Sequence, residues 1–209
     1  MIKDLALFPL NLVAFPGEEL NLHIFEPRYK QLINDCLQTK STFGIPSYVN
    51  TKVEYGTEVK ISEVTKLYED GRMDIKTIGM GMFKVVDFQN PWGERLYAGG
   101  QVEMIEVSDD EDPEIAEVIL NKCEELFEWL HMDGEISLMN DTSVYKVIHK
   151  IGLKPEEEYD LLKITSEAKR QKFILNHLEN LIPALERAEK AKERISMNGH
   201  FKHFDPLKF

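Results

Sequence analysis

Leu20, Leu22 and Ile24 alternate with Asn21 and His23, and that period of two marks a half-buried strand over residues 20–24. The pattern then changes at once. Tyr29, Leu32, Ile33, Cys36 and Leu37 recur at the i, i+3, i+4, i+7, i+8 spacing of an amphipathic helix. Pro27 suits the first helical position, where its missing N–H costs nothing. Glu26 falls beside the positive end of the helix dipole. A second alternation starts at Val59–Ile61 and loses phase near Glu63 and Val64, which predicts a β-bulge. Asp70-Gly71, set between strand-like flanks over 67–75, predicts a hairpin. Gly79, Gly81 and Gly99-Gly100 mark bends or close backbone approach, and a last strand is expected near 96–107. Short strands around one embedded helix predict a compact, glycine-kinked barrel.

Beyond residue 108 the period becomes helical. Asp112 is placed to cap a helix starting at Pro113, with Ile115, Val118, Ile119, Cys123, Leu126, Phe127 and Leu130 on one face. A second helix, capped by Asp141, carries Val144, Val147, Ile148 and Ile151 before Gly152, and Pro155 opens a short third. The fourth is long, about 166–195, with Ile174, Leu178, Leu181, Leu185 and Ala188 alternately four and three apart. Pro183 inside it removes the bond to the carbonyl of Glu179 and should bend it. The expected class is α+β: a barrel over 1–110, a helical bundle over 111–195 and a tail over 196–209. The tail holds Phe201, Phe204, Leu207 and Phe209, too apolar for a solvated terminus. It is expected to dock on its own chain or on a second copy, as a homodimer would.

Charge narrows the partners. The chain carries a net −12, from 25 basic and 37 acidic residues, spread evenly over both halves. A nucleic-acid binder needs a basic face to displace counterions, so nucleic acid is not expected. No apolar run reaches the roughly 18 residues that cross a bilayer, and the N-terminus lacks the features of a signal peptide. Cys36 and Cys123 fall on apolar helix stripes and read as buried, reduced thiols of a cytoplasmic protein.

Motifs of catalysis are sparse. The sequence has no P-loop string, G-x-S-x-G, H-E-x-x-H or C-x-x-C. Gly79-Met80-Gly81 lacks the third glycine of a dinucleotide-binding turn and reads as a strand bend. His200, His203 and Asp205 lie in the polar and apolar tail and are not assigned a metal. His131, His149 and His177 read as solvent-facing or hydrogen-bonded helix residues. Glu26 and Arg28 raise the question of a catalytic pair. A catalytic carboxylate needs a second acid, a histidine or a metal to separate protonation states, and only His23, on the polar side of its strand, is close in sequence. The pair reads as the corner that turns strand into helix.

The segment LFPLNLVAFPGEELNLHIFEPRYKQLINDC (7–36) closely resembles the opening of the Lon protease N-terminal, substrate-binding domain family. The matching residues are Leu7-Phe8-Pro9-Leu10, Phe15-Pro16-Gly17 and Ile24-Phe25-Glu26-Pro27-Arg28-Tyr29. Phe43-Gly44-Ile45, Tyr55-Gly56-Thr57, Asp70-Gly71-Arg72 and Gly79 continue the match in order. The resemblance implies a PUA-like β-barrel with one embedded helix, followed by a C-terminal α-helical subdomain. It implies a stand-alone member without the family's ATPase module and Ser-Lys protease module, hence no hydrolysis of ATP or peptide bonds and no cofactor. One departure is clear: where relatives commonly carry G-x-x-R-F, this chain has Gly79-Met80-Gly81-Met82-Phe83.

The expected function is a non-catalytic polypeptide-binding module for exposed apolar segments of a client or partner protein. Phe8, Phe15, Phe25, Tyr29, Met80, Met82 and Phe83 are the candidate contact residues, because aromatic, Met-rich surfaces accept varied apolar ligands. Pro16, Gly17, Glu26, Pro27 and Arg28 are structural motif residues. The alternatives are a PUA-like RNA-binding module, opposed by the charge, and a small-molecule enzyme, which would need a convergent polar cluster.

Overall fold

Six strands build one mixed sheet: β1 (Ile2–Leu7), β2 (Glu19–Ile24), β3 (Phe43–Pro46), β4 (Tyr55–Leu67), β5 (Met73–Val85) and β6 (Ala98–Met104). The structure, a computed structural model, describes residues 1–49, 52–132 and 148–199, apart from the side chains of 196–199. Strand order is β2–β5–β4–β3–β1–β6, and β5 also pairs with β6. The sheet therefore curls into a barrel, but only partly: the closing ladder spans Phe83–Val85 against Val102–Met104. β1 and β3 run parallel, joined at Leu7 and Gly44, and the other ladders are antiparallel.

The long β4–β5 hairpin is bent at the places where the sequence loses its alternation. Its register shifts leave Met80 as the extra residue of β5, and Ser62 and Thr65 as extra residues of β4. The hydroxyls of Ser62 and Thr65 donate to the carbonyls of Lys76 (3.1 Å) and Asp74 (3.0 Å), so the bulges stay hydrogen-bonded. The hairpin turns at Asp70-Gly71, with Gly71 at φ +78° and the Asp70 carboxylate accepting from the Arg72 amide at 3.1 Å. Gly79 serves close approach: a Cβ there would lie 2.1 Å from the carbonyl oxygen of Phe15.

Helix α1 (Pro27–Thr39) packs on this sheet through Tyr29, Leu32, Ile33 and Cys36, while Leu37, expected on the same stripe, is exposed. Pro27 holds the first turn as expected, but the Glu26 side chain makes no capping bond. Helices α2 (Pro113–Trp129), α3 (Pro155–Leu162) and α4 (Glu167–Gly199) follow, with a short 3-10 turn at Ile148–Lys150. Asp112 caps α2, accepting from the amides of Glu114 (3.0 Å) and Ile115 (3.3 Å). The buried face of α2 is narrower than its apolar stripe: Ile119, Cys123, Leu126 and Phe127 are inside, whereas Val118 and Leu130 are exposed. On α4 the buried line is Ile174, Leu178 and Ile182; Leu181 and Leu185 are half-buried and Ala188 is exposed. The helix continues through Pro183. Both cysteines are buried free thiols. The expected helix over Asp141, Val144 and Val147 and the apolar tail lie outside the described residues.

Barrel and helices share a core. Val13, Phe15 and Met82 of the barrel pack in one cluster with Ile119, Phe127, Leu161, Ile174 and Leu178 of the helices. A second cluster joins α1 to the sheet, and a third, with Leu7, Phe83 and Val102, fills the barrel interior. The link between the layers is fastened to the start of α4. Asp110 accepts from the Ser166 hydroxyl (2.8 Å), the Ala168 amide (3.2 Å) and the Ser108 hydroxyl (3.1 Å), which hold its carboxyl down at about 2.

Candidate functional site

The 24–29 corner, the 8–12 segment and the 86–97 loop meet at one end of the barrel. The 8–12 segment runs beside 44–48: the Phe8 amide donates to the Gly44 carbonyl (2.8 Å), Leu10 to Pro46 (3.2 Å) and Tyr48 to Leu10 (2.8 Å). The 86–97 loop is anchored on α1, where the Tyr97 hydroxyl donates to Asp35 (2.8 Å) and the Leu96 amide to the Gln31 side chain (2.8 Å). Burial and the Asp35 carboxylate push the Tyr97 hydroxyl well above its ordinary value. Trp92 lies flat on Gly99, where a Cβ would come within 2.2 Å of the indole, so the loop's seat requires that glycine.

These elements enclose a groove of about 350 Å³, lined by Pro9, Asn11, Arg28, Tyr29, Tyr48, Phe88 and Asn90 among others. Phe8 lies beneath it, stacked on Tyr29 at 3.7 Å. Arg28 lies over the Tyr29 ring at 4.5 Å and donates from Nε to the Glu26 carboxylate at 2.9 Å. Arg28 thus lies on the groove lining, its charge paired with the exposed Glu26 behind it. Tyr48 and Phe88 are exposed rings on the lining. Its chemistry is aromatic faces, amides and one largely neutralised cation. Such a surface stacks and hydrogen-bonds; the described lining holds no histidine, cysteine or carboxylate to move a proton.

Several predicted contact residues are elsewhere. Phe15 and Met82 are wholly buried under the helical layer and Phe83 fills the barrel, so all three are core residues in this structure. Phe8 and Tyr29 are buried except for the Tyr29 edge that reaches the groove. Phe25 is 59% exposed and Met80 56% exposed. The strand period explains the split, for Met80 is the bulged residue and Phe25 points with His23 away from the helix-covered face. Pro16 and Gly17 form the turn before β2, with Gly17 at φ +78° and donating to the Gly79 carbonyl at 2.9 Å.

His149 is the polar residue that the sequence did not distinguish. Its Nδ1 lies 2.7 Å from Glu158 on α3 and its Nε2 lies 3.0 Å from Glu18 in the loop before β2. Hydrogen bonding to Glu18, opposed by burial and helped by Glu158, raises the imidazole to about 9. The charge therefore ties barrel to helices. His177 donates from Nε2 to the Ile151 carbonyl, 2.8 Å away. Among the described residues no group of three or more His, Cys, Asp or Glu is placed to hold a metal, and no helix is long and apolar enough to cross a membrane. His200, His203 and Asp205 lie outside the described residues.

A partly closed barrel whose core is completed by a helical layer, with its sequence motif gathered at a rim groove, defines the class. Residues 4–180 match the family model of the ATP-dependent protease La (LON) substrate-binding domain, and the chain belongs to that family. Among solved structures, a Lon N-terminal domain protein from Xanthomonas campestris is 26% identical with a TM-score of 0.64, covering 83% of this chain and 98% of that one. The N-terminal domain of a Mycobacterium avium complex Lon protease shares the fold at 13% identity, with a TM-score of 0.67 over 86% of this chain and 100% of that one. Protein cereblon of Danio rerio is 28% identical over 97 residues, 42% of this chain, and the match spans 22% of cereblon's length.

Proposed function

We propose that the chain is a non-catalytic polypeptide-binding module that holds exposed apolar segments of a client or partner protein. The groove carries this reading. At about 350 Å³ it is near the lower end of the range for small-ligand sites, a size suited to one or two apolar side chains of a longer segment. Rigid aromatic rings and amides around it give contact area with little loss of side-chain freedom. Membership of a substrate-binding domain family supports it. Exposed Phe25 and Met80 offer further apolar contact outside the groove.

The test uses fluorescently labelled β-casein, an unfolded polypeptide. Replacing the exposed rings of Tyr48 and Phe88 together with Ala should weaken binding about tenfold, as expected for loss of two aromatic contacts. The melting temperature should hardly move, since both rings are exposed. Equal affinity in the double variant would remove the groove from the reading. Purified protein given casein and ATP should hydrolyse neither; cleavage abolished by a single point mutation would overturn the non-catalytic assignment.

A further inference from the structure

Gly79 donates its amide to the Glu18 carbonyl at 2.9 Å, and the Thr77 hydroxyl donates to the Leu20 carbonyl at 3.2 Å. These bonds fix the phase of the β2 ladder. Leu20, Leu22 and Ile24 turn their backbone groups toward β5, and antiparallel alternation turns those of Glu19, Asn21 and His23 outward. Outside the β5 ladder, no backbone or side-chain hydrogen bond reaches those outward groups among the described residues, and all three residues are exposed. Among the described residues, β2 is a free sheet edge.

The sheet's other open edge differs. Beyond Val59, β4 carries two bulges, at Ser62 and Thr65, and lysines at 60 and 66, the devices that blunt an edge against pairing. β2 has neither bulge, proline nor lysine. Leu20 and Leu22 are half-buried on the side that packs with α1, and Phe25, stacked on His23 at 6.0 Å, stands exposed just past the strand's end.

We propose that an extended segment of the client pairs along the outer edge of β2 as an added strand. The proposal rests on the polypeptide-binding reading and deepens it, stating how the backbone is held. Hydrogen-bond complementarity selects the occupant: outward donors and acceptors recur every second residue, about 7 Å apart, and an extended peptide presents its own at that repeat. Alternate apolar side chains of the client would cover Leu20 and Leu22 on one side and meet Phe25 on the other. A second copy of the chain is the poorer occupant, because each copy carries a net −12 and repels its like.

Amide exchange on the full chain, read residue by residue with and without β-casein, tests this. Casein should slow exchange at Asn21 and His23 at least about tenfold, the minimum expected when an open edge amide gains a ladder bond, and leave the bulged β4 edge unchanged. Asn21→Pro removes one outward donor while sparing the β5 ladder, and should weaken casein binding about tenfold. If that variant fails to fold, exchange in the unmodified chain still decides. Casein binding that depends on Tyr48 and Phe88 but leaves the β2 amides unchanged would overturn the edge proposal and spare the groove. No casein binding to the unmodified chain would remove both. Protection of the β2 amides that grows with protein concentration, without casein, would assign the edge to a second copy and overturn the proposal.

Discussion

Replacing His149 with Gln should loosen the joint between barrel and helices, and by an amount that depends on pH. The imidazole bridges Glu18 and Glu158 at 3.0 and 2.7 Å, and Glu18 also accepts the Phe15 amide at 2.9 Å, so the bridge reaches the edge of the shared core. Its proton is held up to about 9, against 6.5 for an ordinary histidine. A folded-state value raised above the unfolded one stabilises the fold fully below about 6.5 and loses that contribution as pH rises through about 9. At 1.36 kcal/mol per pH unit the ceiling is about 3 kcal/mol. The His149 side chain is 37% exposed, so solvent screening leaves about 1 kcal/mol. Urea unfolding of both proteins at pH 6, 7.5 and 9.5 gives the difference directly. The variant should be less stable by about 1 kcal/mol at pH 6, by about 0.6 kcal/mol at pH 7.5 and by little at pH 9.5. A gap that is constant with pH, or that widens toward alkaline pH, would refute a charged bridge.

Three further substitutions separate backbone fit from surface charge. Gly79→Ala should cost about 2 kcal/mol or more in chemical denaturation, because its Cβ would meet Phe15 backbone oxygen at 2.1 Å and Pro16 Cα at 3.1 Å, and backbone cannot rotate away. Asp112→Ala should cost about 1 kcal/mol, losing the two amide bonds that cap α2. Glu26→Ala should cost under about 1 kcal/mol, since its side chain makes no capping bond and, among the described residues, its ion pair is the exposed one with Arg28. An effect on the melting curve larger than that of Asp112→Ala would show that the corner does more than form a surface pair.

How much of this was legible in the sequence follows from what each signal measures. The 20–24 alternation and the helix stripe after Pro27 are local periods, and both elements stand where the period puts them. β3 escaped because Phe43-Gly44-Ile45-Pro46 is buried on every side and so has no period to read. β5 looked broken at Gly79 and Gly81, yet it is one strand: Gly79 is there to admit the Phe15 carbonyl, and the bulge is at Met80. The candidate contact residues divide between surface and core for a related reason. Aromatic and methionine content registers apolar character, but Phe15 and Phe25 differ only in what covers them, and the cover on Phe15 and Met82 comes from helices more than thirty residues downstream of Met82. The groove joins segments near 9, 28, 48 and 88, and His149 finds Glu18 across most of the chain. No spacing rule spans such distances. The Glu-Pro-Arg corner is the instructive middle case. Its role as a strand-to-helix turn was readable because Pro27 and the change of period are local, while the place of Arg28 on the groove lining appears only when the 86–97 loop is seated beside it. One side chain can thus be structural by its own sequence and part of a groove by its neighbours, and in this chain the distant neighbours decide which side chains the groove exposes.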